Sequence, residues 1–133
     1  MERYAIMVKG IVRYEGKYLL VKRWYDDRIE NPYQWEFVDG QIEFGEEPDK
    51  AVIRRIREQT GLQTIIDRIV YTWSYMVGDV HHIGISYECM ALGDEVILSE
   101  ELHDSLFVPK EQFRDYITNG KLLGDLERAF DLR

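Results

Sequence analysis

The sequence is poor in cysteine and contains no long apolar runs. Its single cysteine, Cys89, cannot form an internal disulfide, which excludes a disulfide-stapled fold and favours a buried thiol in a reducing, cytoplasmic compartment. No apolar stretch approaches the roughly 20 residues that a membrane-spanning helix needs, so no membrane partner is expected. Low-complexity and Pro/Gly/Ser-rich linker segments are also missing. With 133 residues and 45% hydrophobic content, the chain is expected to form one domain over residues 1–133.

Basic residues are outnumbered by acidic ones. The chain has 17 lysine and arginine residues against 25 aspartate and glutamate residues, giving a formal charge of −8. The overall field of such a protein repels a phosphate backbone. This charge balance argues against a nucleic acid polymer as partner.

Two pairs of strands are predicted, the first from segments rich in tyrosine, valine, isoleucine and leucine and the second from alternating apolar and polar residues. Residues 4–14 and 18–24 flank a short turn at 15–17 that contains a glycine, which is typical of a β-hairpin. Residues 64–76 and 80–92 form a second alternating pair around Gly78. The sequence therefore contains at least two predicted hairpins.

Helical segments are predicted between and after these strands. A helix is expected over residues 48–60, because Pro48 suits a first turn and Gly61 suits a left-handed C-terminal cap. A second helix is predicted over residues 108–117, ended by Asn119 and Gly120, and a third over residues 121–130. Strands mixed with helices in this way predict an α/β fold with a sheet flanked by helices.

The segment from Gly40 to Leu62 carries the most specific chemical pattern. Gly40 is followed after five residues by Glu46 and, seven residues later, by the run that begins at Arg54 and contains Glu58 and Gly61. Carboxylates three or four residues apart lie on one face of a helix, where they can hold a metal ion beside a diphosphate. A preceding loop supplies backbone groups next to them.

This segment resembles the signature box of the Nudix hydrolases. The resemblance implies a Nudix-like mixed sheet sandwiched between helices and cleavage of a diphosphate linkage in a small nucleotide-like substrate. It implies Mg²⁺ or Mn²⁺ as cofactor, with Glu58 as metal ligand or catalytic base and the Gly40 carbonyl as a further metal ligand. It also implies that Glu46 and Arg54 form a loop–helix pair that orients the catalytic site.

The box departs from the family pattern at two helix positions and at its entry. Arg55 and Gln59 stand where the family has glutamates, and Asp39 interrupts the usual Pro-Gly-Gly entry. Gln59 keeps an oxygen that can bind metal but brings no charge, so a metal ion is expected to bind weakly. Arg55 is instead predicted to contact a substrate phosphate or to pair with Glu58.

Outside the box, the resemblance implies a later acidic metal ligand and groups that bind substrate. Glu88 is the first candidate for the acid because it lies opposite the apolar face of its strand, and Glu100 and Glu101 are alternatives; each of them also suits a solvated surface position. Arg23, at the end of a predicted strand, is a candidate diphosphate ligand, although charged residues there are usually solvated.

Several aromatic residues are candidates for stacking on a nucleobase, although aromatic residues in strands more often belong to the core. Trp35 is the first choice for substrate binding, and one of the five is expected to contact substrate. The five are Trp24, Tyr33, Trp35, Trp73 and Tyr75.

Two functions are compatible with these residues. The first is a metal-dependent pyrophosphohydrolase that acts on a nucleoside diphosphate linked to another group. The second is a domain of the same fold that binds a nucleotide-like ligand without cleaving it, which the changes at Arg55 and Gln59 favour. The retained loop, with Glu43 and Glu46, favours hydrolysis. Exposed strand edges would also permit a homodimer.

Overall fold

The computed structural model describes residues 2–24 and 33–132. Seven strands and three α-helices are formed within these residues. Their bounds are β1 Arg3–Tyr14, β2 Lys17–Arg23, β3 Trp35–Glu36, β4 Val38–Gln41, α1 Pro48–Thr60, β5 Thr64–Val77, β6 Val80–Ala91, β7 Leu102–Val108, α2 Phe113–Tyr116 and α3 Gly120–Phe130. Both predicted hairpins and the predicted first helix are confirmed, the helix with its bounds unchanged.

One mixed sheet contains all the strands of the described residues. Its central path runs in the order β3-β2-β1-β6-β5, while β4 pairs with β1 and β7 pairs with β2. The β1 and β6 strands are parallel, and the other pairs are antiparallel. Because β1 lies inside the sheet and is covered on both faces, its sequence is a nearly continuous apolar run rather than an alternating one.

Helix α1 covers one face of the sheet. Its bounds follow from Pro48 in the first turn and from Gly61, which has a φ of 74° and whose N–H donates to the Arg57 carbonyl. Ile56 packs directly onto β1 at Gly10, where an added Cβ would lie 2.6 Å from the Ile56 Cδ1 atom. The glycine therefore allows the helix and the sheet to approach closely.

The other face is covered by α2 and α3. Phe113 and Leu126 are fully buried there against Tyr18 and Phe37, with the rings in edge-to-face contact. The sheet thus lies between α1 on one side and α2 with α3 on the other, as the predicted sandwich requires.

The predicted helix over residues 108–117 is shorter than expected and only partly α-helical. Residues 102–108 form β7, which pairs with β2, and only a 3₁₀ turn at Lys110–Gln112 and the four-residue α2 follow. Asn119 begins α3 instead of ending α2, because its side chain accepts hydrogen bonds from the backbone N–H groups of Lys121 and Leu122. Asparagine is common at both helix ends, so sequence alone does not separate the two roles.

Candidate functional site

The loop before α1 is held to the helix by Arg54. The Arg54 Nε atom donates to Glu46 Oε2 at 2.7 Å. The Arg54 Nη2 atom donates to Glu46 Oε1 at 3.0 Å and to the Gln41 carbonyl at 3.1 Å. Glu46 also accepts from the backbone N–H of Glu43. These hydrogen bonds, the Arg54 contact above all, lower the pKa of Glu46 and keep it ionised. The predicted pair of Glu46 and Arg54 is thus brought together by the structure.

Glu58 lies on the same helix within reach of two guanidinium groups. Arg54 Nη1 donates to its Oε1 and Arg55 Nη1 donates to its Oε2, each at 2.9 Å. These hydrogen bonds, from Arg54 first, lower the pKa of Glu58. The side chain remains 43% exposed, so the carboxylate is accessible but both of its oxygens already accept a hydrogen bond.

Arg55 lies flat against the start of the loop and is only 16% exposed. An added Cβ at Gly40 would lie 2.0 Å from the Arg55 Nε atom, so only a glycine leaves room for this side chain. Arg55 Nη2 donates to Glu101 at 3.0 Å and to the Asp39 carbonyl at 3.4 Å. Its guanidinium therefore bridges Glu58 and Glu101.

Gln59 completes this group from the next turn of α1. The side chain is fully buried, and its Nε2 atom donates to Glu101 at 3.1 Å and to the Asp39 carbonyl at 3.3 Å. Its Oε1 atom is buried and has no hydrogen-bond partner among the described residues. The hydrogen bond from Arg55, followed by weaker contributions, lowers the pKa of Glu101. Arg55, Glu58, Gln59 and Glu101 are called the charge cluster below.

The charge cluster, as formed, does not fit a divalent metal ion. A magnesium or manganese site needs several free anionic oxygens at short distance. Here both Glu58 oxygens and one Glu101 oxygen accept N–H groups, and the Asp39 carbonyl accepts two more. No group of three or more acidic, histidine or cysteine side chains suited to a metal occurs in residues 2–24 and 33–132. A metal ion bound between Glu58 and Glu101 would have to displace Arg55, which pairs with both.

Glu88, predicted as the later metal ligand, lies on the other face of the sheet. It is 3% exposed, accepts a hydrogen bond from the Tyr18 hydroxyl at 2.8 Å and pairs with Arg68 at 2.9 Å. The structure does not bring it to α1, and its predicted solvated position is wrong because α3 covers this end of β6. The acid that does reach α1 is Glu101, which the sequence offered only as an alternative.

Arg23 lies between two acidic residues at the end of β2. Its guanidinium donates to Glu36 at 2.7 Å and also to Asp39. Burial, with the negative charge of Asp39, raises the pKa of Glu36 to about 7 although a third of its side chain meets solvent. One arginine thus holds two carboxylates close to the charge cluster.

A cavity of about 290 Å³ opens beside these carboxylates, between the sheet and the start of α3. It is walled by two aromatic side chains from β5 and by charged side chains from four other elements. The residues that line it are Lys9, Glu36, Asp39, Trp73, Tyr75, Asn119, Lys121, Leu122 and Asp125. The ammonium group of Lys121 donates to the Ser74 carbonyl. It is called the aromatic cavity below.

Only some of the aromatic residues predicted to bind substrate lie at the aromatic cavity. Trp73 and Tyr75 line the aromatic cavity. Trp35 instead contacts the Lys22 ammonium, 4.6 Å from its ring centroid, and the edge of Tyr116. Trp35 does not line the cavity, so its proposed contact with substrate has no support from this arrangement. Trp24 contacts the ring of His103.

Lys9 is one of the cavity residues that were not predicted from the sequence, together with Glu36 and Asp125. It is 8% exposed in the middle of β1, and its Nζ atom lies 4.3 Å from the Trp73 ring centroid. The sequence does contain an indication of its role, because a lysine interrupts an otherwise apolar strand and lysine is seldom buried without a partner.

Among the described residues, no helix is long and apolar enough to cross a membrane. 

Comparison with known proteins identifies the family. Residues 1–126 match the NUDIX domain. A nucleoside triphosphatase, NudI, from Escherichia coli O17:K52:H18 (strain UMN026 / ExPEC) is 30% identical over 128 residues, covering 88% of this chain and 90% of the relative. The crystal structure of a MutT protein from Methanosarcina mazei Go1 has a TM-score of 0.82 and 25% identity, covering 98% of this chain and 94% of that chain. 

A NUDIX hydrolase from Nitrosomonas europaea has a TM-score of 0.80 at 16% identity, covering 98% of this chain and 72% of that chain, which supports the fold. These matches agree with the box at Gly40 to Leu62 and with the sandwich of sheet and helices. The chain belongs to the NUDIX domain family.

Proposed function

We propose that this chain hydrolyses a diphosphate linkage in a small nucleotide, within the pyrophosphohydrolase-type activity that its family supports. The observation that carries the proposal is the position of Asp39. Its carbonyl accepts from Arg55 and Gln59, its carboxylate accepts from Arg23, and the residue lines the aromatic cavity. Two arginines and a base-sized cavity therefore meet at one residue.

Arg23 and Arg55 are the proposed phosphate ligands. A guanidinium presents paired N–H donors that match phosphate oxygens. Both groups are now paired with carboxylates, Arg23 with Glu36 and Arg55 with Glu58. A diphosphate would compete with these carboxylates, and the two arginines would then compensate its charge.

Hydrolysis requires a water molecule, a base and a leaving phosphate. The water oxygen forms a bond to phosphorus, the bridging P–O bond breaks, and the water proton passes to a carboxylate while the leaving oxygen carries the charge. Glu58 is the proposed acceptor from the box, assisted by the orienting pair of Arg54 and Glu46. Glu36 is a second candidate, because a pKa of about 7 suits proton transfer near neutral pH.

Mg²⁺ or Mn²⁺ is proposed to bind weakly. In this family a bound ion would neutralise phosphate charge and activate water. The step described above uses only the side chains of this chain, since Arg55 occupies the space between Glu58 and Glu101. The residues proposed to contact an ion after Arg55 withdraws are Gly40, Glu58 and Gln59.

We further propose a cytoplasmic protein whose exposed strand edges permit a homodimer. Cys89 is fully buried and free, which suits a reducing compartment, and burial raises its pKa to about 12, so we do not propose it as a nucleophile. The net charge of −8 argues for a small ligand over a nucleic acid polymer.

The experiment is product analysis with a panel of nucleoside triphosphates and nucleoside diphosphate conjugates, in Mg²⁺, in Mn²⁺ and in EDTA. The natural protein is compared with Glu58→Gln and Glu36→Gln, and with Glu111→Gln as a control on an exposed acid. Cleavage that falls about 100-fold or more in one of the first two variants, and is unchanged in the control, supports the proposal and identifies the base. Binding of a panel member without any cleavage would instead support a non-hydrolysing binding domain.

A further inference from the structure

Lys9 places an ammonium group inside the sheet with few partners. It lies on β1 between the fully buried Val8 and the Gly10 that contacts α1. Within the described residues, its Nζ atom makes one long hydrogen bond, 3.4 Å to the Tyr71 hydroxyl, and contacts the Trp73 ring. An ammonium has further N–H donors, and a buried charge is costly unless they are used. Because Lys9 lines the aromatic cavity, these donors are available to a ligand there.

Carboxylates lie near this donor on several sides. Burial lowers the pKa of Lys9, whereas Asp39, Glu36 and Asp125 act to raise it. Asp125 comes from α3, and its side chain is 12% exposed. One of its oxygens pairs with Arg128 at 2.5 Å, which fixes the carboxylate at the cavity wall. The cavity therefore presents a hydrogen-bond donor and an acceptor together.

The aromatic walls are fixed by their neighbours. The Trp73 ring lies on Gly84, where an added Cβ would be 2.2 Å from the ring. The Tyr75 ring stacks on His82 at 4.6 Å with an interplanar angle of 8°. A volume of about 290 Å³ is at the low end for ligand sites, which suits one base more than a whole nucleotide.

We propose that the aromatic cavity selects nucleobases with a lactam edge, in which a carbonyl lies next to a ring N–H. Lys9 donates to the carbonyl oxygen, and Asp125 accepts from the N–H group. Guanine, uracil and thymine carry this edge in their usual tautomers, whereas adenine has no carbonyl and cytosine has no ring N–H beside its carbonyl. The proposal rests on the proposed function for its nucleotide ligand, but it concerns recognition and not cleavage.

The test is isothermal titration calorimetry with GMP, UMP, AMP and CMP in EDTA, which requires no turnover. We expect the natural protein to bind GMP and UMP about 10- to 100-fold more tightly than AMP and CMP, as befits a hydrogen bond to a charged group. In Lys9→Met and in Asp125→Leu, which remove the donor and the acceptor respectively, this preference should fall to about threefold or less. Lys50→Met, at an exposed lysine of α1, should keep the full preference.

Lys9→Met is suited to this test because it removes a buried charge while keeping a long apolar side chain, and such replacements are often tolerated. Circular dichroism and thermal unfolding confirm that each variant is folded. Equal binding of all four nucleotides, or an unchanged preference in Lys9→Met, overturns the lactam assignment and leaves the proposed hydrolysis standing. Failure of all four to bind, with hydrolysis of a panel substrate intact, places base recognition elsewhere and also overturns it. Failure of both binding and hydrolysis refutes the proposed function itself.

Discussion

Replacing Arg55 and Gln59 with glutamate should convert the charge cluster into a metal site. Arg55 now makes ion pairs of 2.9 Å with Glu58 and 3.0 Å with Glu101. Each partly exposed pair contributes about 0.2–1 kcal/mol, and repulsion among the gathered carboxylates adds a similar amount. Without metal, we expect Arg55→Glu/Gln59→Glu to lower the free energy of unfolding by about 1–4 kcal/mol. For a domain of this size that lowers Tm by roughly 3–15 °C.

Metal should reverse this loss in the double variant. Several carboxylates on one face of α1 and in the Glu101 loop are the oxygen ligands that Mg²⁺ and Mn²⁺ prefer. An ion at about 100 times its Kd restores about 2.7 kcal/mol. The assay is thermal unfolding with and without MnCl₂, joined to calorimetric titration of Mn²⁺. The natural protein should show a shift of about 1 °C or less.

The control is Arg57→Glu/Gln63→Glu, which makes the same change of charge at two exposed positions outside the cluster. It should gain no stabilisation from Mn²⁺ beyond that of the natural protein. If Mn²⁺ stabilises the natural protein as much as it stabilises the double variant, Arg55 does not block the site and the reasoning is refuted.

Three further predictions concern pH, a helix cap and the core. The pKa of Glu36 is about 7 in the folded state against 4.5 in the unfolded chain, so the folded state binds this proton more tightly. The contribution of Glu36 to the free energy of unfolding is therefore fully present below pH 4.5 and is lost as the pH rises from 4.5 through 7. Chemical denaturation between pH 4.5 and pH 7 should show that the free energy of unfolding falls by roughly 1–2 kcal/mol, a value reduced to allow for solvent screening. This fall should be absent in Glu36→Gln, and an equal pH dependence in the variant would contradict the prediction. Gly61→Ala, at a φ of 74°, should cost about 1 kcal/mol in urea unfolding, whereas Gly93→Ala should cost less than about 0.5; equal costs would argue against the cap. Leu126→Ala should cost about 2–5 kcal/mol by the same measurement and Leu92→Ala, at an exposed leucine, less than about 0.5; a small loss at Leu126 would mean that α3 is not part of the core.

Local signals made the first helix and its loop predictable. Pro48 and Gly61 mark both ends of α1 by backbone conformations that few other residues adopt, and the structure has the same bounds. The brace between Glu46 and Arg54 follows from the resemblance at the box and is present. These features depend on residues close together in the chain.

Features that depend on distant contacts were less accessible. Arg55 and Glu101 are 46 residues apart, so their hydrogen bond appears only when the loop before β7 returns to α1. Strand β7 was missed because its polar residues disguise the alternation, and its pairing with β2 decides its conformation. Glu88 was misplaced because a sheet with helices on both sides buries both faces of β6. Strand periodicity alone does not reveal a second covering layer.

The guanidinium between Glu58 and Glu101 differs from a bound metal ion in the source of its positive charge. Arg55 is part of the polypeptide, and its guanidinium supplies the positive charge that pairs with both carboxylates. Each folded molecule therefore carries one positive charge at this point before any Mg²⁺ binds. Chelators cannot remove that charge. A cation that binds here has to displace a covalently attached group, which stays beside the site at every concentration of free Mg²⁺.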